Sequence, residues 1–265
     1  MGLLATSHEA LRPMGIKPER IKLVMNDMTL APPAGPAGGS RSQFVVGNAS
    51  VNGCEQLVNA LKKDDGTYMT YDEAAAKNIP TKYVGRWSTA SADATGCDVE
   101  TGQGKPFVSY MYGVFLAEVE IDTKTGQVQV VKMTMAADVG EAANRTVLDG
   151  QIYGGLAQGI GLALSENFED LKKHTSMAAC GIPYIKDVPD AIEIIYMDSP
   201  RKLGPHGASG VGELPLTAPH AAIGNAIYNA CGVRITQLPA LPEKVLAGLQ
   251  RKEIPIAKRP VKNPY

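Results

Sequence analysis

The stretch DGQIYGGLAQGIGLALSE, residues 149–166, is apolar enough for a buried helix, yet it carries Gly154, Gly155, Gly159 and Gly161. Each glycine costs up to about 1 kcal/mol against alanine inside a helix, because its backbone loses more freedom on folding. A helix that keeps so many needs a neighbour that a Cβ would block. The chain is therefore expected to press a second element closely against this one. The residues just ahead, DVGEAANRTV, read as a glycine-containing loop leading into the helix.

Around that helix the signals mix strand and helix without regular βαβ alternation, which makes the expected fold α+β. Residues 4–13 read as a short helix stopped by Pro13 and Gly15, residues 20–27 as a strand, and residues 44–63 as a helix. Residues 64–105 are rich in Gly, Thr, Ser and Asp and read as a surface excursion. PFVSYMYGVFLAEVEID and QVQVVKMTMAAD, joined by TKTG, read as a β-hairpin. The first of these strands is apolar along most of its length, so burial on both faces is expected. Residues 191–198 read as a strand, and 216–232 and 238–250 as helices.

With a formal net charge of −1, nothing in the bulk electrostatics favours nucleic acid or an acidic membrane. The basic, proline-containing residues 251–265 read as a solvated tail. No apolar run approaches the roughly 18 residues that a membrane span needs. The first residues lack a basic, cleavable leader, so a cytoplasmic location is expected. The four cysteines show no C-x-x-C spacing and read as buried free thiols rather than a zinc, iron–sulfur or disulfide framework.

Three glycine-rich loops share one character: GPAGGSRSQ (35–43), AANRTVLDGQIYGG (142–155) and GASGVGE (207–213). Such a loop opening a helix presents backbone N–H groups to an anion. Arg41 adds a cationic fork suited to phosphate, and Ser40 and Gln43 add directional hydrogen bonds. None of the three matches a P-loop or a G-x-G-x-x-G turn, so each alone can be a mere turn. Together they point to one extended, phosphate-bearing ligand. Glu213 ends the third loop with no Lys or Arg between residues 207 and 220. It reads either as an acid stabilising the next helix through its dipole, worth about 0.3–1 kcal/mol, or as a general base whose pKa a dry apolar pocket raises. His206 and His220 flank it without metal-site spacing, and Ser209 lacks a nucleophile-elbow pattern.

GASGVGELPLTAPHAAIGNAI, DGQIYGGLAQGIGLALSE and GPAGGSRSQ together closely resemble the molybdenum hydroxylases, the xanthine oxidase family, and most of all its bacterial aldehyde-oxidising branch. The resemblance runs from about Leu4 to about Leu249. It implies a molybdopterin cofactor, as the cytosine dinucleotide, held by Gly38, Gly39, Ser40, Arg41 and Gln43, by Asn144 and Gln151, and by the backbone of Ser209, Gly210, Val211 and Gly212. It further implies oxidation of small aldehydes to carboxylic acids, with Glu213 as general base activating a molybdenum-bound hydroxide and no protein ligand to the metal. Ser42 stands where the family pattern has a second glutamine. Family members also carry two [2Fe–2S] domains and an N-terminal molybdenum-site segment, which need thiolates this chain does not provide. Residues 1–250 are thus expected to be the C-terminal part of a molybdopterin-binding region, completed by an iron–sulfur segment or subunit and homodimeric when whole. The alternatives are a non-catalytic remnant or cofactor-binding module, and an unrelated binder of a phosphate-bearing ligand.

Overall fold

Helices and mixed sheets, as the α+β reading expects, make up the computed structural model, which describes residues 1–25, 27–89 and 96–251. The tail from residue 252 therefore lies outside the described residues. The chain divides into two units. One comprises Met1–Tyr112, Ala137–Gln151 and Tyr196–Leu214; the other comprises Gly113–Ala136, Ile152–Ile195 and the chain from Pro215.

In the first unit, α1 (Gly2–Leu11) runs into a 3₁₀ turn over Arg12–Met14 and stops at Gly15, which is left-handed at φ 66°. This is the Pro13–Gly15 stop expected from the sequence. A π-helical turn, Ser42–Val46, leads into α2 (Gly47–Leu61), which lies against α1. The hydroxyls of Ser7 and Ser50 meet between the two helices at 2.7 Å. The strand expected over residues 20–27 does not form: residues 21–25 join no sheet, and Val24 and Met25 are exposed. Alternation alone does not make a strand where no partner edge is offered. Within residues 64–105 lies a short helix, α3 (Tyr71–Ala76), closed by a capping box between Thr70 and Glu73. The two-residue strands β1 (Gly96–Cys97) and β2 (Gly104–Lys105) pair antiparallel. Cys97 is exposed and only Cys180 is buried, so the expectation of four buried thiols fails.

The second unit holds most of a sheet ordered β3 (Tyr112–Ile121), β4 (Val128–Asp138), β5 (Ala191–Tyr196). The hairpin between β3 and β4 closes at Gly126, left-handed at φ 79°, whose N–H donates to the Asp122 carbonyl at 2.7 Å. The Lys124 amide and the Thr125 hydroxyl donate to the Asp122 carboxylate and hold it below the usual carboxylate range. Burial of β3 on both faces is overturned. Val114 is 71% and Leu116 58% exposed. On β4, Lys132 pairs with Glu193 of β5 at 3.0 Å. A hairpin covered on one side leaves the other to polar groups and solvent.

The glycine-bearing helix forms as α4 (Arg145–Leu164), and its close neighbours are prolines. A Cβ on Gly155 would overlap Pro215, and one on Gly159 would overlap Pro219. Both glycines and both prolines are spaced four residues apart, one helical turn, so each proline enters a notch in the same helix face. A Cβ on Gly161 would overlap the Glu166 carboxylate, whereas Gly154 faces open space. Pro219 opens α5 (Pro219–Cys231), which ends at left-handed Gly232, and α6 (Pro242–Gln250) follows. Among the described residues no helix is long and apolar enough to cross a membrane.

Gly155→Ala and Gly159→Ala should each lower the unfolding free energy by about 1–3 kcal/mol, the usual cost of overpacking. Gly154→Ala should instead raise it by up to about 1 kcal/mol. Urea unfolding of the three variants separates notch from idle glycine, and equal destabilisation by all three would remove the notch.

Candidate functional site

The three glycine-rich loops meet in the first unit, and the third is the one the other two touch. His206 and Gly207 turn the chain at φ 49° and 82°. From there it runs antiparallel to the second loop, with Gly140 bridged to Ala208. Glu141 N–H donates to the Gly207 carbonyl at 3.0 Å, and Ser209 N–H donates to Val139 at 3.0 Å. A Cβ on Gly140 would overlap the Gly207 carbonyl. Arg201 fastens the base of this pairing: it donates to the Asp138 carbonyl at 2.9 Å and the Ser199 carbonyl at 2.8 Å, and lies 2.9 Å from the Asp138 carboxylate.

The first loop docks on the far end of the same strand. Gly39 and Ser40 are both left-handed, at φ 64° and 56°. A Cβ on Gly210 would overlap the Ser40 carbonyl, so only glycine lets the two backbones approach this closely. Ser40 Oγ donates to Glu213 Oε2 at 2.9 Å and accepts from the Glu213 N–H at 3.0 Å.

Together the loops enclose a cavity of about 480 Å³, within the range of small-molecule sites. Ser40 and Gln43 line it from the first loop, Asn144 and Gln151 from the second, and Ser209, Gly210, Val211, Gly212 and Glu213 from the third. Gly38, Gly39 and Arg41 do not. They line an adjoining cavity of about 260 Å³ that shares Ser40, Ser209 and Gly210 with the first. Arg41 Nη1 donates to the carbonyls of Ala34 at 3.0 Å and Pro36 at 2.9 Å, so the guanidinium closes its own loop.

Several of these groups are already engaged. Asn144 Oδ1 accepts from the Val147 N–H at 3.1 Å and caps α4. Gln43 Nε2 donates to buried Thr6 at 2.8 Å. Others are open: among the described residues the Gln151 side chain and the N–H groups of Gly210, Val211 and Gly212 find no partner. Glu213 fits neither expectation as stated. The first turn of α5 contains no acid, so Glu213 does not serve that helix, and the residue is exposed rather than dry. Glu141, a second exposed acid lining the cavity, lies in the loop expected ahead of α4 but carries no motif that singles it out. Val139, Val147 and Leu148 supply an apolar wall, and no lysine or arginine lines the cavity. The arrangement can hold a flat polar ligand through N–H and carboxamide groups and offer it a carboxylate that accepts protons.

Residues 2–189 match the family model described as the molybdopterin cofactor-binding domain. The chain is 57% identical over 250 residues to the aldehyde oxidoreductase of Megalodesulfovibrio gigas, covering 94% of this chain and 27% of that protein. It is 30% identical over 258 residues to the xanthine dehydrogenase/oxidase of Gallus gallus, covering 89% of this chain and 19% of that one. Among solved structures, the aldehyde oxidoreductase from Desulfovibrio gigas superposes with a TM-score of 0.91 at 57% identity, over 94% of this chain and 27% of the other. The chain thus spans about a quarter of the length of these aldehyde oxidoreductases.

Asn144→Ala should cost about 1 kcal/mol of stability through the lost cap, and Asn144→Asp should keep it. Chemical unfolding of both variants decides this. Undiminished stability in the alanine variant would leave the side chain free for a ligand.

Proposed function

Since the chain belongs to the molybdopterin cofactor-binding domain family, we propose that it forms part of an aldehyde-oxidising molybdenum hydroxylase, with Glu213 as the general base. The observation that carries this reading is the convergence of three distant loops on one cavity with the Glu213 carboxylate at its wall. The site residues fit the cofactor. The free Gln151 carboxamide and the open N–H groups of Gly210, Val211 and Gly212 match the donors and acceptors of a pterin ring. When bound, the pterin dithiolene carries the molybdenum, which supplies the two-electron redox chemistry.

The rest falls to this chain's own residues. Gln43, Gln151 and the 209–212 backbone orient the ring, while Val139, Val147 and Leu148 exclude water from one side of it. Asn144 serves the same site by fixing the first turn of α4. Gly38, Gly39, Arg41 and the backbone of Ser40, around the adjoining cavity, take the phosphate-bearing arm of the cytosine dinucleotide form. Glu213 Oε2 is held by Ser40, which leaves Oε1 to accept the proton. A small aldehyde is the substrate, by extension from the activity named for the 57%-identical relative. Other segments or a partner subunit would hold the [2Fe–2S] clusters and supply electron transfer, in a homodimeric enzyme.

Glu213→Gln in the assembled enzyme should retain molybdenum and pterin yet lower kcat by about 10²–10⁴-fold, the range of general-base contributions. Metal analysis with steady-state kinetics tests it, and unchanged turnover would remove Glu213 from the mechanism. Arg41→Ala should lower cofactor content in the same preparation, and full occupancy would sink its phosphate role.

A further inference from the structure

We propose that Ser40 is a positioning residue for Glu213: its hydroxyl fixes the carboxylate and the peptide that carries it, and Gly210 is the residue that makes this possible. The inference rests on the reading of Glu213 as the base. Two independent features of the first and third loops point to it.

The first is the double bond made by one hydroxyl. Ser40 Oγ accepts from the Glu213 N–H at 3.0 Å and donates to Glu213 Oε2 at 2.9 Å. Backbone and side chain of the same residue are therefore tied to one oxygen atom. The acceptor bond orients the hydroxyl, and its single proton is committed to the carboxylate. A hydrogen bond to a charged group is stronger than a neutral one, so this contact survives partial exposure better than most. Of the two carboxylate oxygens, the one left open is defined.

The second is the backbone of Ser40 itself. It sits at φ 56°, a region that disfavours residues with a Cβ. Its neighbour Gly39 occupies the same region without strain. Glycine at position 40 would suit the turn better, so the turn alone does not explain the serine. The hydroxyl bonds to Glu213 do. Ser40 reaches Glu213 only because Gly210 lets the third loop press on the Ser40 carbonyl.

The test uses Ser40→Gly, which removes the hydroxyl while relieving the backbone, together with Gly210→Ala and Glu213→Gln, all in the assembled enzyme. Ser40→Gly should unfold at the same denaturant concentration as the parent or higher, and should keep its molybdenum. Its crystal structure should show the Glu213 carboxylate displaced or in more than one orientation, and kcat should fall about 10–100-fold with KM little changed, as misplacing a catalytic group does. Gly210→Ala should displace the carboxylate in the same way. A Glu213 carboxylate unmoved in Ser40→Gly, with kcat retained while Glu213→Gln is inactive, would leave the base intact and overturn the role of Ser40. Loss of molybdenum from Ser40→Gly would overturn it too, making Ser40 a cofactor contact. Should Glu213→Gln turn over normally, the base reading fails, and the carboxylate position in the Ser40→Gly crystal still decides whether Ser40 holds it.

Discussion

The main chain from Gly207 to Glu213 is the shared partner on which the first unit depends. One of its ends pairs with residues 139–141, and the other receives Ser40. Neither contact tolerates a Cβ at the crossing points, because Gly140 and Gly210 each lie against a carbonyl of the facing loop. Three segments far apart in sequence are thus brought together by backbone proximity rather than by a side-chain core. Such a framework leaves N–H groups pointing at whatever fills the middle, since pairing is used up at the edges. Arg201, with its Asp138 partner only 19% exposed, keeps the outer end from splaying.

The second unit uses backbone proximity as well. Two residues after Glu213, Pro215 enters the notch at Gly155, and Pro219 enters the next one at Gly159. A proline has a fixed φ and brings no N–H, so it can lie against a helix backbone without an unsatisfied donor. The segment from Pro215 to Pro219 is consequently held at two points by α4 within the second unit.

Much of this was legible in the sequence, and the parts that were not share a cause. The glycines of α4 announced a close neighbour correctly at positions 155, 159 and 161, but Gly154 gave the same signal and faces nothing. Composition shows where a Cβ could be excluded, not where it is. The loops were recognisable by small residues ahead of helices, yet their convergence depends on pairings separated by more than a hundred residues, such as Ser40 with Glu213. No local pattern encodes these. The expected strand at 20–27 and the two-sided burial of β3 failed because strand pairing and sheet coverage are supplied by other segments. Glu213 was singled out for its isolation from cations, which holds, while its exposure and its serine partner were invisible from the sequence around it.

The wall of the cavity where the three loops meet carries two carboxylates, Glu141 and Glu213, and no lysine or arginine. Inorganic phosphate and free nucleotides are anions of the kind that glycine loops and helix N-termini elsewhere attract. Here their charge meets like charge, and backbone dipoles alone give them little in return. A neutral, flat heterocycle loses nothing by the acids and gains from every open N–H. Charge at this wall therefore disfavours a bare anion, and its open N–H groups face a surface that a neutral polar group can approach.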